Sequence, residues 1–180
     1  MANNPEFKRK LVALVREALS LDGTGNRQQA LMLIDQAITF SENSGLLAFD
    51  LKVMRENLAV GNPPDLSKII TVLKEGVAYY RHNGDILRQI DMLLNLSAVV
   101  SSRPEKLQYL DEIDHLISSI TEAELEEISK RPLLRNTSVS NLLSLRSDEV
   151  KRRKQSIHAQ AQLDFAHGWL KMRQNKQSLT

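Results

Sequence analysis

The chain has 180 residues, with 24 Lys and Arg against 22 Asp and Glu, a net charge of +2, and 42% apolar side chains, the balance expected of one globular domain. Aromatic residues make up only 4%, which argues against a β-sandwich or barrel and against a base-stacking nucleic-acid platform. Cysteine is absent, which excludes disulfides, thiolate nucleophiles and zinc–sulfur sites; with no signal-peptide core in MANNPEFKRK and no apolar run of about twenty residues, a cytoplasmic, non-membrane protein is expected.

Pro5 stands at a first helical position, and Phe7, Leu11, Leu14, Val15, Ala18 and Leu21 form the stripe of a first helix, with Lys8, Arg9 and Lys10 on its outer side. Asp22-Gly23-Thr24-Gly25 is a short turn, and Asn26 is placed to cap a second helix running to Ser41. In that helix Ala30, Leu31, Ile34, Ala37 and Ile38 recur at intervals of three and four, so they share one face. Gly45 suits a left-handed C-terminal turn. Leu47, Leu51, Met54 and Leu58 then mark a third helix, stopped at Gly61-Asn62-Pro63-Pro64.

A frame shift of thirty-nine residues brings the pattern back. Asn26 maps onto Asp65, Ala30-Leu31 onto Ile69-Ile70, Ile34 onto Leu73, Ala37 onto Gly76, Ile38 onto Val77 and Gly45 onto Gly84. A cap, a small contact residue and a turn glycine in common register indicate a duplication. Tyr79-Tyr80-Arg81-His82 closes the fourth helix, where large side chains either fill the wedge between units or present a hydroxyl to a ligand. A fifth helix covers 85–100.

Ser102-Arg103-Pro104-Glu105 reads as a capping box for a sixth helix with Leu107, Leu110, Ile113, Leu116, Ile117 and Ile120 inward, and Thr121-Glu122-Ala123-Glu124 as a second box opening a short acidic helix to Lys130. Arg131–Ser140 reads as a loop or hinge. Ser147-Asp148-Glu149 is expected to cap a long final helix reaching Asn175, with Val150, Ile157, Ala161, Phe165 and Met172 on one side, Trp169 at the edge, and Leu163 and Leu170 elsewhere. The expected domains are a helical-repeat domain over 1–131, a loop and short helix over 132–146, and a basic C-terminal helix over 147–180.

Ala30, Ile34 and Ala37 match the Ala, bulky-apolar, Ala spacing of the second helix of a tetratricopeptide repeat. GNRQQALMLIDQAI resembles the entry into that helix, and DILRQIDMLLNLSAVV a first helix. The period is similar to that of the roughly forty-residue variants attached to bacterial regulatory ATPases. Over about residues 6–120 this resemblance implies an all-α, tetratricopeptide-like stack of antiparallel hairpins. It also implies a non-enzymatic adaptor or regulatory module whose first helices line a concave surface for a partner's peptide or helix. On that basis Asp50, Arg55, Arg88, Gln89, Met92 and Asn95 are the candidate contacts, although Met54 and Met92 fit a core equally well.

Chemistry of other kinds finds little support. Glu112-Ile113-Asp114-His115 has the Glu-x-x-His spacing of carboxylate-bridged metal sites, and Asp164-Phe165-Ala166-His167 is a looser echo, but no facing carboxylates are identifiable. Gly23-Thr24-Gly25 lacks the preceding strand and the lysine of a phosphate loop, and no nucleophile elbow occurs. No enzyme, metal or cofactor is expected.

The charge is unevenly spread: residues 21–146 carry thirteen basic and seventeen acidic side chains, while 147–180 carry seven basic and three acidic. Lys151-Arg152-Arg153-Lys154 go round a helix and, with Lys171, Arg173 and Lys176, make it a basic rod. Such a rod complements the acidic middle of the chain, contacts nucleic-acid phosphates, or serves as a localisation or docking signal. Nucleic-acid association through Lys151, Arg152, Arg153, Lys154, Lys171 and Arg173 is therefore the alternative function, and self-association through the last helix a further expectation.

Overall fold

A computed structural model describes residues 5–44, 48–60, 66–130 and 138–177, with side chains as far as His167. Among the described residues every element is helical: α1 (Pro5–Gly23), α2 (Arg27–Glu42), α3 (Phe49–Ala59), α4 (Ser67–His82), α5 (Ile86–Val99), α6 (Arg103–Ser119), α7 (Glu122–Ser129) and α8 (Val139–Gln177). None of them is long and apolar enough to cross a membrane. The chain divides into two compact units, Met1–Val99 and Val100–Thr180.

In the first unit each helix packs chiefly on the next, α1 on α2, α2 on α3, α3 on α4 and α4 on α5. Small side chains let α1 and α2 approach: Ala18 and Ala30 are fully buried with Ile34 and Leu58, and Val15, Leu21, Ile38 and Met54 close round them. Each large aliphatic residue buried this way contributes about 2 kcal/mol relative to exposure. Two turns share one construction. After α1 the N–H of Asn26 bonds Leu21 O and that of Gly25 bonds Asp22 O; after α4 the N–H of Asp85 bonds Tyr80 O and that of Gly84 bonds Arg81 O. Both pairs of bonds require a left-handed residue just past the helix, which glycine adopts without a Cβ penalty, and Gly25 and Gly84 have φ of 84° and 65°. Asn26 does not cap α2 with its side chain, which instead donates to Thr24 Oγ1 at 3.3 Å.

The thirty-nine-residue register is visible in burial. Along α2, Ala30, Ile34, Ala37 and Ser41 are the buried positions; in α4 their counterparts Ile69, Leu73, Gly76 and Tyr80 are all buried, together with Val77. Gly76 lies where α3 and α5 both approach α4: a Cβ there would stand 3.1 Å from Met92 Sδ and 3.3 Å from Phe49 Cγ. The counterparts at Gly45, Gly61–Pro64 and Asp65 lie outside the described residues.

In the second unit α6 and α7 both pack on α8. Thr121 forms the expected reciprocal box, accepting from the Glu124 N–H while the Glu124 carboxylate accepts from the Thr121 N–H. Ser102 completes only half of one. Its hydroxyl accepts from the Glu105 N–H at 3.5 Å, while the Glu105 carboxylate takes the Tyr109 hydroxyl at 2.9 Å. The last helix is longer than expected. It starts at Val139, where Ser138 Oγ accepts from the Asn141 N–H, and Ser147-Asp148-Glu149 lie within it. The correction has a physical reason: Asp148 and Glu149 look like cap residues but serve as counterions for the cations one turn later. The rest of the expected hinge, 131–137, is outside the described residues.

Candidate functional site

The six contacts expected on α3 and α5 do not make one accessible surface. Met92 is 1% exposed and Gln89 4%; both are buried, and Met92 lies against the bare backbone of Gly76 on α4. Arg55 is half-buried and engaged, donating to Asp35 on α2 and to Glu56, both at 2.7 Å. It is one of several ties between α2 and α3, with Lys52–Glu42 at 2.8 Å and Arg27 to Val60 O at 3.3 Å. Arg88 lies 5.5 Å from the centre of the Tyr80 ring and 3.7 Å from Asp85. Asp50 and Asn95 are exposed.

Tyr79 and Tyr80 act as packing groups. With Phe49 they form an aromatic triangle with ring centres 5.4–5.8 Å apart, a geometry with attraction beyond simple burial. The Tyr80 hydroxyl has no hydrogen-bond partner of regular geometry. Burial pushes its ionisation up, against the opposing pull of the Arg88 cation.

Among the described residues of the first unit, an accessible concavity lies between α1 and α2. It is a groove of about 550 Å³ with Leu14, Met32 and Phe40 as its apolar floor and Lys10, Asp35, Gln36, Thr39 and Asn43 round it. Met32 is 59% exposed. Phe40 is fixed from two sides, stacked on Phe7 at 4.8 Å and covered by the Lys10 ammonium 4.8 Å from its ring centre. Thr39 Oγ1 bonds Asp35 O, and the Asp35 carboxylate is held by Arg55. From Met32 to Asn43 the groove follows about 17 Å of α2, or three turns. Helical periodicity does not reveal it, because Met32, Lys10 and Asn43 fall outside both buried stripes. The available signal was an exposed methionine and a phenylalanine on the polar side of α2.

The basic run of α8 is internally matched. Lys154 Nζ lies 2.6 Å from Asp111 and 2.6 Å from Asp114, both on α6. Burial works against its charge, but these two carboxylates outweigh it and hold the ammonium above its ordinary range. Arg153 Nε donates to Glu149 at 2.5 Å, and burial lowers its pKa. Arg152 pairs with Glu149, and Lys151 stands 3.7 Å from Asp148. The side chains of Lys171 and Arg173 are outside the description. Among the described residues no three His, Asp or Glu side chains converge as a metal would need. Comparison of the chain with protein-family models, with curated proteins and with solved structures gave no match.

Proposed function

We propose that the protein is a non-enzymatic, tetratricopeptide-like interaction module that binds an amphipathic helix of a partner protein, and that the α1–α2 groove is the site. The observation that carries this reading is an exposed apolar strip, Met32 with Leu14 and Phe40, inside a ring of polar groups. A three-turn helix fits its length, with apolar side chains at spacings of three and four on the floor and a carboxylate facing Lys10. Methionine suits the site because its unbranched thioether adapts to the partner's shape. The exposed Leu163 and Phe165 of α8 are assigned to self-association on the same reading. Phosphate contact by Lys151–Lys154 is the less favoured reading, since every cation of that run has a carboxylate within ion-pair reach.

The test is a titration of the isotopically labelled protein with a synthetic three-turn Leu/Glu helix and, separately, with random-sequence RNA at physiological salt. The helix is expected to shift amides around Lys10, Met32 and Gln36, and to lose binding in Met32→Asp and Lys10→Glu. RNA binding that persists at physiological salt while the groove stays silent to the peptide overturns the proposal.

A further inference from the structure

We propose a second, independent site, a pocket for a phosphate monoester between α6 and α8. It encloses about 290 Å³ and is lined by Ser101, Arg103, Lys106, Ser156, Ile157 and Gln160. Arg103 and Lys106 border this small volume, and Arg103 is already paired with Asp164 at 2.5 Å. Lys106 is half-buried, and among the described residues it has no ion pair, unlike Lys154 and Arg153 nearby. A half-buried ammonium without a counterion is available to an anionic ligand.

The charge does not come from the helix end. Pro104 has no N–H, the Glu105 N–H is taken by Ser102 Oγ, and the Lys106 N–H bonds Ser102 O. The side chains supply it. Arg103 spends Nη2 on Asp164 at 2.5 Å, and Gln160 Nε2 holds the same carboxylate at 2.9 Å. This tie fixes the guanidinium at the pocket wall and leaves its remaining donors for a ligand, since guanidinium carries five. Ser101 and Ser156 add two hydroxyls with no protein partner among the described residues.

The unpaired Lys106 ammonium, the remaining donors of the Asp164-bound guanidinium and two hydroxyls match a group with three terminal oxygens. A carboxylate and a phosphodiester each bring two. Ile157 offers an apolar contact to the organic part of an ester. The chemistry therefore selects a phosphate monoester, and phosphoserine is the simplest probe that carries one.

The experiment titrates the labelled full-length chain at low ionic strength with phosphoserine, inorganic phosphate, dimethyl phosphate and acetate, following amides of 101–106 and 156–160. Phosphoserine should saturate these shifts, with dimethyl phosphate and acetate at least about ten-fold weaker, the worth of one charge-assisted contact. Lys106→Gln should weaken phosphoserine by about ten-fold or more. Ser156→Ala, at an exposed position, should weaken it several-fold without altering the fold. Inorganic phosphate binding as tightly as phosphoserine assigns recognition to the phosphoryl group alone; tighter phosphoserine adds the Ile157 contact. Absence of saturable shifts, unchanged affinity in both variants, equal binding of dimethyl phosphate, or binding of inorganic phosphate without phosphoserine overturns the proposal. None of these outcomes bears on the α1–α2 groove, which lies in the other unit.

Discussion

Gly76→Ala separates two opposed effects at one atom. In an ordinary helix interior the change stabilises by about 1 kcal/mol, because alanine loses less backbone freedom on folding. At this position the new methyl would sit 3.1 Å from Met92 Sδ, 3.3 Å from Met92 Cγ and 3.3 Å from Phe49 Cγ, inside the 3.5–4.0 Å at which carbon contacts are most favourable. Neither neighbour retreats easily. Met92 is 1% exposed, and Phe49 is held in its aromatic triangle. Overpacking of a well-filled core costs about 1–3 kcal/mol, so the net effect is a loss of about 1 kcal/mol, or a Tm lower by about 2–4 °C. Urea unfolding followed by circular dichroism measures it. In a Met92→Ala background most of the clash is gone, and the same substitution should cost nothing or stabilise, a coupling of about 1 kcal/mol or more. Stabilisation of the native background by the full helix-propensity increment would show that α3 and α5 do not close on α4 as described.

Two further outcomes follow from the second unit. Lys154→Glu places a carboxylate against Asp111 and Asp114, and faster amide exchange in α6 and the facing part of α8 is expected; Lys154→Met should cost no more than about 1 kcal/mol, since both aspartates are solvent-exposed, and the loss should shrink in high salt. Acid should weaken the start of α7. The Thr121 N–H, and after it the Thr121 hydroxyl, hold the Glu124 carboxylate below its ordinary value of 4.5. A lowered folded pKa means that its stabilising contribution is present above 4.5 and is lost as pH falls through the folded value. Thr121→Ala keeps the N–H and loses only the hydroxyl, so it should reduce that pH dependence without abolishing it and cost about 1 kcal/mol of α7 stability, read from amide exchange of 122–129 against pH.

Helix existence was legible where local chemistry decides it. Pro5, Gly25 and Gly84 punctuate the chain as their backbone constraints require, and the inward face of α2 was readable from Ala30, Ile34 and Ala37 because one helix face needs only periodicity. Sites depend on which faces meet. Gln89 and Met92 resemble groove residues on a helical wheel, yet both are buried, and Met92 meets Gly76 of α4, a fact of its neighbours and not of its own spacing. The α1–α2 groove went unseen for the same reason: Lys10 and Phe40 are thirty residues apart and meet only after the turn at Gly25. At Asp148 and Glu149 two roles use one residue type, and capping was chosen where ion pairing operates.

The matched turns after α1 and α4 have a kinetic consequence. Each fixes its helix pair with a few residues, so little loop entropy is lost before α1 meets α2 or α4 meets α5. Such nearby pairings form quickly, and chains dominated by them fold in microseconds to milliseconds. Two hairpins are thus able to nucleate separately, leaving α3 to be captured last between surfaces already assembled.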